Sequence, residues 1–145
     1  MGANLNSIGG VGDIVLLKTD FVEIVLDEFH GILTVRWLRS VLSHEYRYGI
    51  EETGRILLAQ KLEKLLVNNQ RMGVLTMNDQ GWLAEISTKV FSQISLQQLA
   101  IISSIDFLQQ YTNETLDARV KESTPYFETQ YFLSESAGAE WLKSA

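Results

Sequence analysis

From Ile32 onward, strand-length apolar runs alternate with stretches of helical period. That order confines the chain to a largely parallel sheet with helices laid over it. ILTVRW (Ile32 to Trp37) alternates, so Leu33, Val35 and Trp37 share one face and Ile32, Thr34 and Arg36 the other. A helix is expected from Ser43, its cap, through Tyr46, Ile50, Thr53, Leu57, Leu58 and Leu62. Gly49 and Gly54 fall inside it, each costing roughly 1 kcal/mol against alanine, and a close helix–sheet contact would account for both. Leu62 to Val67 reads as a buried strand, followed by the polar turn from Asn68 to Gly73. Thr76 then caps a helix with Trp82, Leu83, Ile86, Val90 and Phe91 on one face, and Asp79 makes a variant capping box. Leu99 to Ile105 suits a central strand covered on both faces. Asp106 caps a helix carrying Phe107, Leu108, Tyr111, Thr115 and Leu116. Pro125 opens an aromatic strand, Tyr126 to Leu133, in which Tyr126 faces with Phe132 and Phe127 with Tyr131. Ser134 or Ser136 caps a last helix that turns Ala137, Trp141 and Leu142 inward.

Upstream lie two shorter apolar runs, Ile14 to Leu17 and Phe21 to Leu26, and then the turn-like stretch Asp27 to Gly31. Together they predict an antiparallel hairpin ahead of the parallel strands. The expected architecture is a mixed, mostly parallel α/β sheet opened by an antiparallel hairpin, with four helices. Residues 1–13 read as a flexible tail and 14–145 as one domain, with no repeat or linker to divide it. An exposed edge strand in the hairpin offers a place for a homodimer to form.

Composition removes several classes of function. Of 145 residues none is cysteine, which excludes disulfides, cysteine-based metal sites and a cysteine nucleophile, and suits a reducing cytoplasmic setting. The net charge is −6, and no basic run exceeds two residues, so nucleic acid is not an expected partner. No apolar stretch is long enough to span a membrane. The glycines at 9, 10 and 12 precede a strand, whereas phosphate loops follow one. His30 and His44 read as surface residues with no metal to share, and Glu51 as a surface partner of Arg55. No catalytic motif is present, so no enzyme activity and no cofactor are expected.

The segment from Asn69 to Trp82 is the expected working surface. It joins a parallel strand to a helix at the carboxyl edge of the sheet, where open α/β sheets bind ligands. Asn69, Gln70 and Arg71 supply polar groups, and Thr76, Asn78, Asp79 and Trp82 surround a helix N-terminus. Unpaired N–H groups there attract anions; alternatively, Thr76 and Asp79 satisfy those groups themselves.

TDFVEI, KLLVNNQRMG, NDQGWL, LAIISS and AGAEWLKS, in that order over most of Lys18 to Ser144, resemble the STAS superfamily of anti-sigma-factor-antagonist-like domains, in its uncharacterised bacterial STAS/SEC14-like branch. The resemblance implies a regulatory, non-enzymatic module. In regulatory members a strand ending in Asp leads to an Asp-Ser whose serine is phosphorylated. Here Asn69 stands at the first position and Leu75-Thr76 at the second, so Thr76 is the matching hydroxyl. Two functions follow as expectations: an interaction module for a protein partner or a second copy, or a domain binding a small ligand, lipid or anion.

Overall fold

The computed structural model of the chain describes residues 12–73, 75–90, 92–104 and 127–144. Its opening follows the local chemistry of two turns. The Thr19 hydroxyl accepts the N–H groups of Phe21 and Val22 and so bends the chain between β1 (Asp13–Lys18) and β2 (Val22–Asp27). The Asp27 carboxylate takes the His30 N–H and contacts the His30 ring at 2.8 Å, and Gly31 adopts a positive φ of 67° to enter β3 (Ile32–Trp37). Both pairings are antiparallel, as the hairpin pattern requires.

From β3 on, the connections carry helices. α1 (Ser43–Gln60) leads to β4 (Lys64–Asn68), and α2 (Met77–Val90) leads to β5 (Gln98–Ile102). β6 (Glu128–Phe132) is followed directly by α3 (Glu135–Ser144). β3 through β6 are parallel, and the six strands lie in sequence order. Each new strand is therefore added beside the last, and among the described strands the order never reverses. A reversal is what opens a crevice between strand ends in doubly wound sheets.

Alternation then decides the two cores. Leu33, Val35 and Trp37 turn to one face with Val22, Ile24, Leu65, Tyr46 and Leu57, beneath α1 and α2. Ile32, Leu66, Ala100 and Ile102 turn to the other, where Leu142 of α3 covers them. Phe127 joins the first core, whereas Phe132 packs at the second, so the aromatic strand is split by face as its spacing requires.

Several details depart from expectation. Three helices occur among the described residues rather than four; the fourth, expected over 106–116, lies outside them, as do Ile105, Pro125, Tyr126, Phe91 and the first eleven tail positions. Asp13 is no part of a tail: it pairs with Asp27 across the hairpin. Ser43 is not the α1 cap. Leu42 holds that place, its N–H donates to the Glu45 carboxylate, and the Ser43 hydroxyl is drawn to α2 instead. Arg55 pairs with Glu52 rather than Glu51, one helical turn away at i,i+3. α1 runs to Gln60 and is closed by Lys61 at φ 52°, so Leu62 packs as a half-buried connector and β4 begins at Lys64.

Gly49 meets the sheet as foreseen: a Cβ there would stand 2.5 Å from Cη2 of Trp37. Gly54 serves a different contact, since its neighbour is Val90 of α2 at 3.1 Å.

Candidate functional site

The turn after β4 does lie at the carboxyl edge. Asn69 is buried, and its N–H donates to the Ile102 carbonyl at 2.8 Å, which carries the β4–β5 ladder one step past the strand. Gln70 is exposed. Its N–H is held by the Asn68 side chain, and its amide donates to the Leu133 carbonyl across the strand ends. Arg71 is exposed.

Thr76 is the α2 cap. Its hydroxyl accepts the Asp79 N–H at 3.1 Å. Asp79 itself does not complete a capping box. Its carboxylate is buried between the helices, where it accepts from the Ser43 hydroxyl at 2.8 Å and from Arg47 Nε at 3.2 Å. The Arg47 guanidinium lies over the Trp82 ring at 5.2 Å, and that ring meets Tyr46 edge-on. Asp79 and Trp82 are thus brought together through α1, whereas Asn78 remains exposed on the outer side. A carboxylate already occupies the positive end of α2, and Thr76 already satisfies an N–H there. With that carboxylate paired to Arg47 and an N–H taken by Thr76, the helix end offers no ready seat for an added anion. The arrangement is an interhelical tie rather than an anion cradle.

α2 turns Leu83, Ile86 and Val90 inward, as its apolar periodicity indicates, and buries three polar residues on the same side. Trp82, Leu83, Ile86 and Val90 are half-buried, while Asp79, Gln80 and Ser87 are buried. Gln80 donates to the Leu75 carbonyl and Asp79 reaches α1, so two of these three polar groups are satisfied. The Ser87 hydroxyl, 1% exposed, is a buried polar group without a hydrogen-bond partner. Leaving such a group unpaired costs on the order of 1–3 kcal/mol.

Ser87 borders a cavity of about 120 Å³ between the two helices and the sheet. Trp37, Val67 and Ile101 form its floor, Tyr46 and Thr53 one wall, and Leu83 the other. The exposed Glu51 marks where it reaches the surface. Thr53 spends its hydroxyl on the Gly49 carbonyl of its own helix, so the wall it presents is largely methyl. The chamber is largely apolar, and the buried Ser87 hydroxyl on its wall has no hydrogen-bond partner. Burial pushes the phenol of Tyr46 well above its usual value, so that ring is neutral throughout the physiological range.

On the opposite face, a second polar group escaped the sequence reading. Register places Arg36 beside Asn68, and both donate to Glu135 at the start of α3: Arg36 through Nε at 2.7 Å and Nη2 at 3.0 Å, Asn68 through Nδ2 at 2.7 Å. Burial alone would raise the Glu135 carboxyl, but these bonds prevail and hold it below the usual range. The cluster pins α3 to the sheet.

Among the described residues, no three His, Asp or Glu side chains gather in a way that could hold a metal, and no helix is long and apolar enough to cross a membrane. Compared with family models, curated proteins and solved structures, the chain matches none of them.

Proposed function

We propose that this chain is a non-enzymatic, cytoplasmic binding module, STAS-like in kind, that admits a small apolar molecule between α1, α2 and the sheet. The observation that carries this reading is the pairing of an apolar chamber of about 120 Å³ with the unpartnered Ser87 hydroxyl on its wall. An apolar cavity of about 150 Å³ is known to stay dry and take up benzene, so the volume suits a single ring or a short branched chain. It falls well short of the roughly 300–1,000 Å³ of sites for larger ligands, which argues against a lipid. The Asp79 carboxylate argues against an anion. The expected ligand is apolar over most of its surface and carries one group able to exchange a hydrogen bond with Ser87.

Titration of the ¹⁵N-labelled protein with phenol and with benzene tests this. Phenol should shift the Trp37 indole and the amides around Ser87, and should bind more tightly than benzene. Shifts confined to other surfaces, or none up to the solubility limit of either probe, would defeat the reading.

A further inference from the structure

The edge strand β1 is hydrophobic and uncovered. Ile14, Val15 and Leu16 are 38%, 58% and 37% exposed, on a strand paired only through β2. Such an edge is a template for another strand. The sequence of β1, DIVLLK, carries opposite charges at its two ends. In a regular six-residue strand the first and last side chains point to opposite faces, and an antiparallel copy could not bring them together. Here the register jumps. Val15 pairs with Val25, but Leu17 pairs with Ile24, so Leu16 is an extra residue. Asp13, Val15 and Lys18 therefore oppose Asp27, Val25 and Glu23 on one face, and Ile14 and Leu17 oppose Leu26 and Ile24 on the other. The bulge puts both charged ends on the same side.

We propose that β1 is the interface of a two-fold homodimer, in which two copies pair antiparallel about the Val15–Leu16 step. Asp13 then meets the partner's Lys18, and Ile14 meets the partner's Leu17, at both ends of the interface. Every side chain faces a complementary one on the same side of the joined sheet. The pairing is isologous, so it closes after two copies instead of running on as a fibre. A bulge ordinarily blunts an edge against foreign strands. On the two-fold axis it meets its own copy, which favours self-pairing over addition of an unrelated strand.

Charge adds a second reason. Asp13 lies opposite Asp27 within its own sheet, a destabilising like-charge pair. Arg36, Lys143 and His30 act on Asp13 electrostatically, but no cation is within ion-pair distance of it among the described residues, and Lys18 sits at the far end of the strand in a loose 3.5 Å pair with Glu23, 58% exposed. A second copy delivers a cation to Asp13 without taking either Lys18 from its place. The interface does not involve the cavity, so the two proposals stand or fall separately.

Charge exchange tests the pairing with the full chain. Sedimentation velocity should show a concentration-dependent dimer of the native protein. Asp13→Lys alone, and Lys18→Asp alone, should each weaken association by about tenfold or more, because each sets like charges against one another at both ends. An equimolar mixture of the two variants should recover dimer, since each then supplies the charge the other lacks. Circular dichroism establishes that both variants are folded before mixing. A native chain that stays monomeric to millimolar concentration overturns the proposal. So do variants that dimerise as well as the native chain, or a mixture that associates no better than either variant alone.

Discussion

The Asp79 carboxylate, 3% exposed, sits 3.2 Å from Nε of Arg47 and joins α2 to α1 above the first core. Two charge-assisted bonds end on it, one from Arg47 and one from the Ser43 hydroxyl. Removing the carboxylate leaves both donors short of a partner. Asp79→Ala should therefore lower stability by roughly 2–3 kcal/mol. Arg47→Ala should cost less, about 1 kcal/mol, because its side chain is 40% exposed and water takes over part of its role. The midpoints of urea denaturation curves give both values. Equal losses would mean the two groups are held by something other than each other.

The glycines of the two helices predict opposite signs. At Gly49 an added methyl would meet Cη2 of Trp37 at 2.5 Å, and that ring is locked in the core at 2% exposure. Gly49→Ala should destabilise by about 1–3 kcal/mol, since overpacking outweighs the better helix propensity. At Gly81 nothing lies within 4 Å, so Gly81→Ala should stabilise by up to about 1 kcal/mol. Thermal denaturation of the two single variants separates them: the midpoints should move in opposite directions.

Features decided by neighbours in sequence were legible in it, and those decided by distant partners were not. The alternation in ILTVRW correctly assigned Leu33, Val35 and Trp37 to one face, because strand geometry leaves no choice. The caps at Thr76 and Ser134 were readable for the same reason, as each hydroxyl takes an N–H three residues ahead. The role of Asp79 was hidden, because its partners, Arg47 and Ser43, are 32 and 36 residues away. Glu135 was hidden more deeply, tied to Arg36 across 99 residues. The spacing of Leu83, Ile86 and Val90 correctly indicated the inward face of α2, but not the burial of Asp79 and Gln80 on it, which depends on fixed donors and acceptors that await them. The cavity follows from the mutual placement of two helices and three strands, and no local pattern encodes that.

Ser87 yields a prediction that separates stability from binding. Its hydroxyl is buried and unpaired, so Ser87→Ala removes a desolvated group together with little volume. The substitution should be neutral or stabilising by up to about 1 kcal/mol, unlike the usual loss on truncating a buried side chain. The same variant should bind phenol and benzene with similar affinity, having lost the group that tells them apart. Denaturation and ligand titration on one preparation provide both readings. A clear loss of stability would show that the hydroxyl has a partner in solution.

Acid should loosen the clasp between α3 and the sheet before it disturbs either core. Burial works to raise the Glu135 carboxyl, but the bonds from Arg36 and Asn68 overcome it, so the folded value lies below the unfolded one. A depressed carboxyl contributes stability above its unfolded value, and that contribution is lost as pH falls through the folded value. The Arg39 bond holds the half-buried Glu45 at about 2, so its contribution fades later, toward that pH. Asp13 has the opposite sign: burial, and then Asp27, raise it, so protonation relieves strain at the β1 edge as the medium turns acid. Stability should hence decline from about pH 4.5 downward, with Glu135 responsible for an early part of the fall. Glu135→Gln keeps the size of the side chain but cannot ionise. Its stability should be lower than native at pH 7, and the gap should close as the pH falls through the folded value of Glu135. A gap that stays constant over that fall would show that the Arg36 contact is not electrostatic in origin.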